Sequence, residues 1–100
     1  MQLVIRTYVT SPAYIEQVRP KLAHLEEAMR ALPGFVAYYF VESEDGITTI
    51  TITEDEVGTV ESMGRAASWM QEHTPEDLPG APEVTQGHIL LSATREQAPR

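Results

Sequence analysis

Trp69 and His73 stand one helical turn apart in the stretch AASWMQEH, so a helix brings an indole and an imidazole to one side. Such a pair can form a pocket wall. The indole stacks on a flat ligand and the imidazole gives or takes a proton. The plainer reading is a tryptophan packed under the proline-rich stretch that follows, or at a subunit contact, with His73 as a solvated helix cap. Tyr39 offers a hydroxyl donor from a strand, and His88 offers a second base near the chain's end. Strand tyrosines are more often packing groups whose hydroxyl reaches water, and a strand histidine is more often a satisfied structural one. Arg6, one of few basic groups, can neutralise an acidic ligand or pair with a carboxylate across a sheet. His24, His73 and His88 lack HExxH-type spacing, so no metal site is expected. With no cysteine there is no thiol nucleophile, thiolate metal site or disulfide. Glycine-rich phosphate loops and the G-x-S-x-G elbow are also missing.

These residues are positioned by elements that the chain announces clearly. Phe35 to Val41 and Ile47 to Thr53 are rich in aromatic and β-branched residues, with Asp45-Gly46 between them, the signature of a β-hairpin. A two-residue turn at Asp45-Gly46 pairs Tyr39 with Ile52 and Val41 with Ile50. One face then carries Phe35, Ala37, Tyr39, Val41, Ile50 and Ile52. The other carries Val36, Tyr38, Phe40, Ile47 and three threonines. The first face is expected to meet the helices, which makes Tyr39 the tyrosine able to line a pocket between helix and sheet.

Gln2 to Val9 reads as a strand with bulk on both faces, suited to the middle of a sheet. Ser11-Pro12 caps a helix that runs to about Leu32 along the stripe Ile15, Val18, Leu22, Leu25, Met29 and Leu32, with Pro20 predicting a kink on its wet side. Pro33-Gly34 ends it. Acidic residues 54–56 open a second helix that runs to about His73. Its line Val57, Val60, Gly64, Ala67 and Gln71, with Met63 and Met70 beside it, is expected to face the sheet, where the small Gly64 and Ala67 let the helix sit close or leave room for a ligand; Trp69 and His73 fall off that line. A loop with three prolines, Thr74 to Pro82, leads to a last strand over Glu83 to Ser92. The order βαββαβ with right-handed crossovers predicts an α+β, ferredoxin-like fold, a four-stranded antiparallel sheet with both helices on one face. Residues 1–93 form one domain and 94–100 a disordered tail. The uncovered sheet face, carrying Val36, Tyr38, Phe40, Val4 and Tyr8, predicts a homodimer packed sheet to sheet.

A formal charge of −8 over 100 residues argues against nucleic acid or an anionic membrane as partner, since those require a positive patch. MQLVIRTYVT is neither a signal sequence nor a membrane anchor. A cysteine-free acidic chain suits the cytoplasm.

PGF at a strand start, the hairpin, a helix ending AASWMQEH and PEVTQG before the last strand resemble the antibiotic biosynthesis monooxygenase-like proteins of the dimeric α+β barrel superfamily. The resemblance implies homodimers whose sheets close into a barrel, with pockets between helices and sheet. It implies one of two chemistries. One is oxygenation of aromatic polyketides without metal or flavin, relying on a Trp, an Asn, a Tyr and an Arg, roles open here to Trp69, Tyr39 and Arg6. The other is haem degradation, using a first-strand Asn, a helix-two Trp and a haem-ligating His. The asparagine position holds Thr7 or Thr10, and Trp69 and His73 lie closer together than in haem degraders. The reading that follows is a cofactor-independent monooxygenase on a small aromatic or quinol-type substrate. Its catalytic candidates are His73, His88 and Tyr39, and its substrate-binding candidates are Trp69, Phe35, Thr7 and Arg6. The alternatives are a non-catalytic dimeric ligand-binding or stress-related protein and a haem-binding protein.

Overall fold

The computed structural model describes residues 1–75 and 79–95. Its elements are β1 (Gln2–Val9), α1 (Pro12–Val18), a turn of 3-10 helix (Arg19–Lys21), α2 (Leu22–Arg30), β2 (Phe35–Ser43), β3 (Gly46–Thr53), α3 (Glu56–His73) and β4 (Glu83–His88). The sheet order is β2-β3-β1-β4, antiparallel throughout, the ferredoxin-like arrangement with β1 central. Ser11 caps α1 by accepting from the Tyr14 amide at 3.2 Å. Pro20 sits in the 3-10 turn that divides the first helical arm, the kink its missing N–H requires. Asp55 caps α3 through the Val57 amide at 3.0 Å. The last strand stops at His88 rather than Ser92, and Leu90 and Leu91 are exposed beyond it. The expected tail 94–100 falls mostly outside the described residues, as does part of the proline loop. No helix among the described residues is long and apolar enough to cross a membrane.

The hairpin turn differs from its expected form. Ser43 pairs with Gly46, so Glu44 and Asp45 make the turn, and Tyr39 faces Ile50 rather than Ile52. Gly46 is the first residue of β3 because the chain there presses on the end of β1. A Cβ at Gly46 would lie 2.2 Å from the Tyr8 carbonyl oxygen. The shift is two positions, so residues on the hairpin keep their shared faces, except that a bulge at Val36 moves Phe35 to the opposite side.

Which face is inside is the reverse of the expectation. The helices cover Val4, Arg6 and Tyr8 of β1, Tyr38 and Phe40 of β2, and Ile47, Thr49, Thr51 and Thr53 of β3. Tyr39 is 52% exposed on the open face, with Val41 beside it. Threonines on the inner face make a poor core only if their hydroxyls go unpaired. Here Thr53 Oγ1 donates to the Asp55 carbonyl at 2.9 Å and lies 3.2 Å from Thr59 Oγ1, while Thr51 Oγ1 accepts from Arg6. Satisfied hydroxyls bury at little cost, and this face then adds Tyr38, Phe40 and Ile47 to the core.

Helix α3 is rolled in the same sense. Gly58, Thr59, Ser62, Ala66 and Trp69 face inward, whereas Val57 and Val60 are largely exposed. The close approach to the sheet is made at Gly58 and not at Gly64. A Cβ at Gly58 would meet the Pro33 carbonyl oxygen at 2.3 Å and Thr53 Cβ at 2.7 Å, whereas one at Gly64 meets nothing within 4 Å. Gly58→Ala is therefore expected to destabilise the chain by about 1–3 kcal/mol. Gly64→Ala, a helix-favouring change on an open face, is expected to leave stability unchanged or raise it by up to about 1 kcal/mol. Urea unfolding of the two variants side by side measures both.

Candidate functional site

Two groups of polar side chains hold α3 in place. The first joins α2 and α3. Trp69 is buried in the core, and its indole N–H donates to His24 Nδ1 at 3.2 Å. The His73 ring meets the Trp69 ring edge-on, with centroids 4.6 Å apart, and the His24 ring at 4.5 Å. Lys21 Nζ donates to the His73 carbonyl oxygen, tying the end of α3 to the kink after α1. Thr74 Oγ1, 3.0 Å from the Tyr14 hydroxyl, donates to the Met70 carbonyl oxygen at 2.9 Å. Trp69 and His73 thus do meet, as their spacing predicts, but on the inward side of α3, against a histidine of α2. Trp69 itself packs in the core, the packing reading of that residue, while His24 is exposed on α2 and His73 is half-buried between them. His73 Nε2 is buried and finds no hydrogen-bond partner among the described residues.

The second group lies under α3 on the central strand. Arg6 is 3% exposed. Its terminal nitrogens donate to Ser62 Oγ at 2.8 Å and Thr51 Oγ1 at 3.5 Å. The Ser62 hydroxyl donates to the Thr59 carbonyl oxygen at 2.7 Å, which leaves its own oxygen to accept from Arg6. Tyr8, two residues along β1, points to the same face. Burial lowers the Arg6 pKa and raises those of Tyr8 and Tyr38, with the charge of Arg6 partly offsetting the rise at both tyrosines.

Beside Arg6 and Tyr8 opens a cleft of about 360 Å³ between α3 and β4. Met63, Ala67, Met70 and Gln71 of α3 form one wall, Val84 of β4 lies opposite, and residues 79–82 of the proline segment close the end. The lining is mostly hydrocarbon and thioether, with the cation at its base. Helical spacing puts Met63, Ala67 and Met70 on one line, and a bulky residue at Ala67 would fill the space.

Of the sequence-predicted residues, only Arg6 lines this cleft. Trp69 and His73 belong to the first group. Phe35 lies at the core margin beneath the Arg30 guanidinium, 5.8 Å from the ring centroid. Thr7 and Tyr39 are on the open sheet face, opposite Thr48 and Ile50. His88 pairs with Gln2, whose amide donates to Nδ1 at 3.0 Å, at the far end of β1 and β4. Tyr8 and the methionines were not singled out for chemistry by the sequence. The signal that could have found them is the alternation Val4-Arg6-Tyr8, which places a cation and a phenol on one face. Among the described residues, no three His, Asp or Glu side chains gather closely enough to hold a metal ion.

No protein-family model matches the chain, and no curated protein matches it in sequence. Solved structures do resemble it. The haem degrader MhuD of Mycobacterium tuberculosis, with two haems in its active site, superposes with a TM-score of 0.69 at 17% identity, covering 94% of this chain and 100% of that one. Rv0793 of the same organism gives 0.68 at 22% identity over 93% and 98%. The monooxygenase ActVA-Orf6 of Streptomyces coelicolor, in complex with nanaomycin D, gives 0.59 at 24% identity over 91% of each chain. The chain therefore has the fold of the antibiotic biosynthesis monooxygenase-like proteins, as its short signatures suggest.

The buried tyrosines give the site a titration signature. Because Tyr8 and Tyr38 hold their protons more tightly when folded, the unfolded chain loses them first as pH rises past about 10. Stability is then full below that pH and lost above it, while Arg6 stays charged throughout the window. Urea unfolding is expected to show a fall of about 1.4 kcal/mol attributable to Tyr38 by pH ~11, a component that Tyr38→Phe removes.

Proposed function

We propose that the chain binds a small, flat, largely apolar aromatic molecule in the cleft between α3 and β4, and oxygenates quinol-type ligands there without metal or flavin. The observation that carries this reading is the cleft itself, with hydrocarbon walls over a buried guanidinium and a phenol. Arg6 would stabilise the oxyanion of a bound phenol or enol, and Tyr8, protonated at neutral pH, would donate to the same oxygen. The resulting carbanion reacts directly with O₂ to give a hydroperoxide. Collapse of the hydroperoxide leaves one oxygen atom as a ring carbonyl. The other departs as water with the two hydrogens of the oxidised methylene, so no external reductant is needed. His73, His88 and Tyr39 stand away from this cleft, so the reading assigns the proton to water rather than to one of them. The likeness to a monooxygenase holding nanaomycin D supports the substrate class.

The same reading includes a homodimer working in the cytoplasm. The open sheet face carries Leu3, Ile5, Tyr39, Val41, Ile50 and Ile52, an apolar surface that a second copy would cover. This is the face opposite to the one the sequence suggests, and Tyr39 belongs to the contact rather than to the pocket. Light scattering after size exclusion is expected to give twice the 11.1 kDa chain mass, and Tyr39→Glu is expected to give the monomer.

Oxygen uptake with a panel of anthrones and quinols tests the activity. Turnover that falls at least tenfold in Arg6→Met supports the reading. Ligands that raise the melting temperature without uptake would instead favour a non-catalytic binding protein. A Soret band on hemin addition that disappears in His73→Ala would favour haem.

A further inference from the structure

We propose that the Arg6 cleft selects ligands bearing a carboxylate, so that its natural occupant is a planar aromatic acid held with its acid group on Arg6. This rests on the cleft being a ligand site and adds the charge of what enters it: the acid group takes the two terminal N–H groups, and the reacting oxygen of such a ligand is left to the Nε–H and Tyr8.

The argument starts from what Arg6 lacks. A guanidinium stays charged in a protein interior and carries five N–H donors. Two neutral hydroxyls, Ser62 Oγ and Thr51 Oγ1, take one donor from each terminal nitrogen. That leaves one N–H on each terminal nitrogen and one on Nε without a partner among the described residues. The chain has 15 acidic residues, yet among the described residues the ion pairs all belong to Arg19, Arg30 and Arg65, which stand on the helical side of the fold. A buried cation without a counter-charge is costly. Burial lowers its pKa, in line with that cost.

The surroundings make Arg6 a receptor rather than a packing residue. Ser62 is fixed as an acceptor by its bond to the Thr59 carbonyl, so the guanidinium is held from α3 while its remaining donors find no partner among the described residues. Arg6 itself lines the cleft. Two N–H groups on adjacent terminal nitrogens suit the two oxygens of a carboxylate, whereas a single phenolate oxygen satisfies them less well. Met63, Met70 and Val84 then offer apolar and thioether surface to the ring that carries the acid.

The test is a calorimetric titration of the whole chain at pH 7.5 with three probes of one shape: 1-naphthoate, its methyl ester and 1-naphthol. The expected result is that the acid binds at least tenfold more tightly than either neutral probe. Arg6→Met is expected to abolish that preference, and Ala67→Trp, which fills the cleft from an exposed helix position, to abolish binding of all three. Should Arg6→Met fail to fold, the Arg6 Nε–H resonance of the wild-type chain reads the same contact, shifting with the acid and not with the ester. An ester that binds as well as the acid, or an Arg6→Met variant that keeps the preference, overturns the selectivity and leaves the aromatic cleft standing. Absence of binding by all three probes overturns the cleft as a ligand site, and the selectivity with it.

Discussion

Helix α3 is fastened to the sheet by hydroxyl groups gathered around a buried arginine, and much of the molecule follows from that seam. Thr49, Thr51 and Thr53 present one side of β3 to the helix, and Thr59 and Ser62 answer from α3. Arg6 lies among them, bonded to both sides. Each hydroxyl can donate once and accept twice, so one can accept from the guanidinium and still place its own proton, as Ser62 does on the Thr59 carbonyl. Low local dielectric strengthens such a network when it is complete and penalises it when a member is lost. The seam therefore fixes the roll of α3 more sharply than apolar packing would, because hydrocarbon contacts tolerate rotation and hydrogen bonds do not.

That roll explains what could and could not be read from the residues. The strands, the helix stripe ending in Met29 and Leu32, the kink at Pro20, the cap at Ser11 and the acidic start of α3 were legible because each rests on local chemistry. The βαββαβ order carries the topology. The inside of the sheet was not legible, because both hairpin faces hold comparable apolar bulk. A reading that counts threonine as polar and exposed prefers the wrong one. The same assumption sends Val57 and Val60 inward on α3, where the structure has Gly58, Thr59 and Ser62. Gly64 looked like a packing glycine, yet the glycine that the fold needs is Gly58, pressed on Pro33 and Thr53.

The candidate site was legible through Arg6 and through Ala67, a small residue that leaves room beside the sheet. Its placement inside a strand on an acidic chain was a visible oddity, and the carboxylate partner expected for it is not found among the described residues. Trp69 and His73 were correctly paired by spacing, but spacing says nothing about which side of a helix meets the sheet. Their union with His24 depends on α2 crossing α3, a contact 45 residues apart in the chain for Trp69 and His24. Tyr39 was placed by parity on a face whose direction parity cannot give.

The seam also accounts for the existence of the cleft. A helix that turned its valines and methionines onto the sheet would fill the space between them, because interiors pack to crystal density and leave little room. Here the first half of α3 is drawn close at Gly58 and Ser62. Farther along, the side presented toward β4 is lined by Met63, Ala67 and Met70. Ala67 is too small to reach across, and Met63 and Met70 can bend their unbranched side chains around what enters. One device, a polar anchor where hydrocarbon would be usual, thus holds the cation at the base of the cleft and keeps the volume above it open.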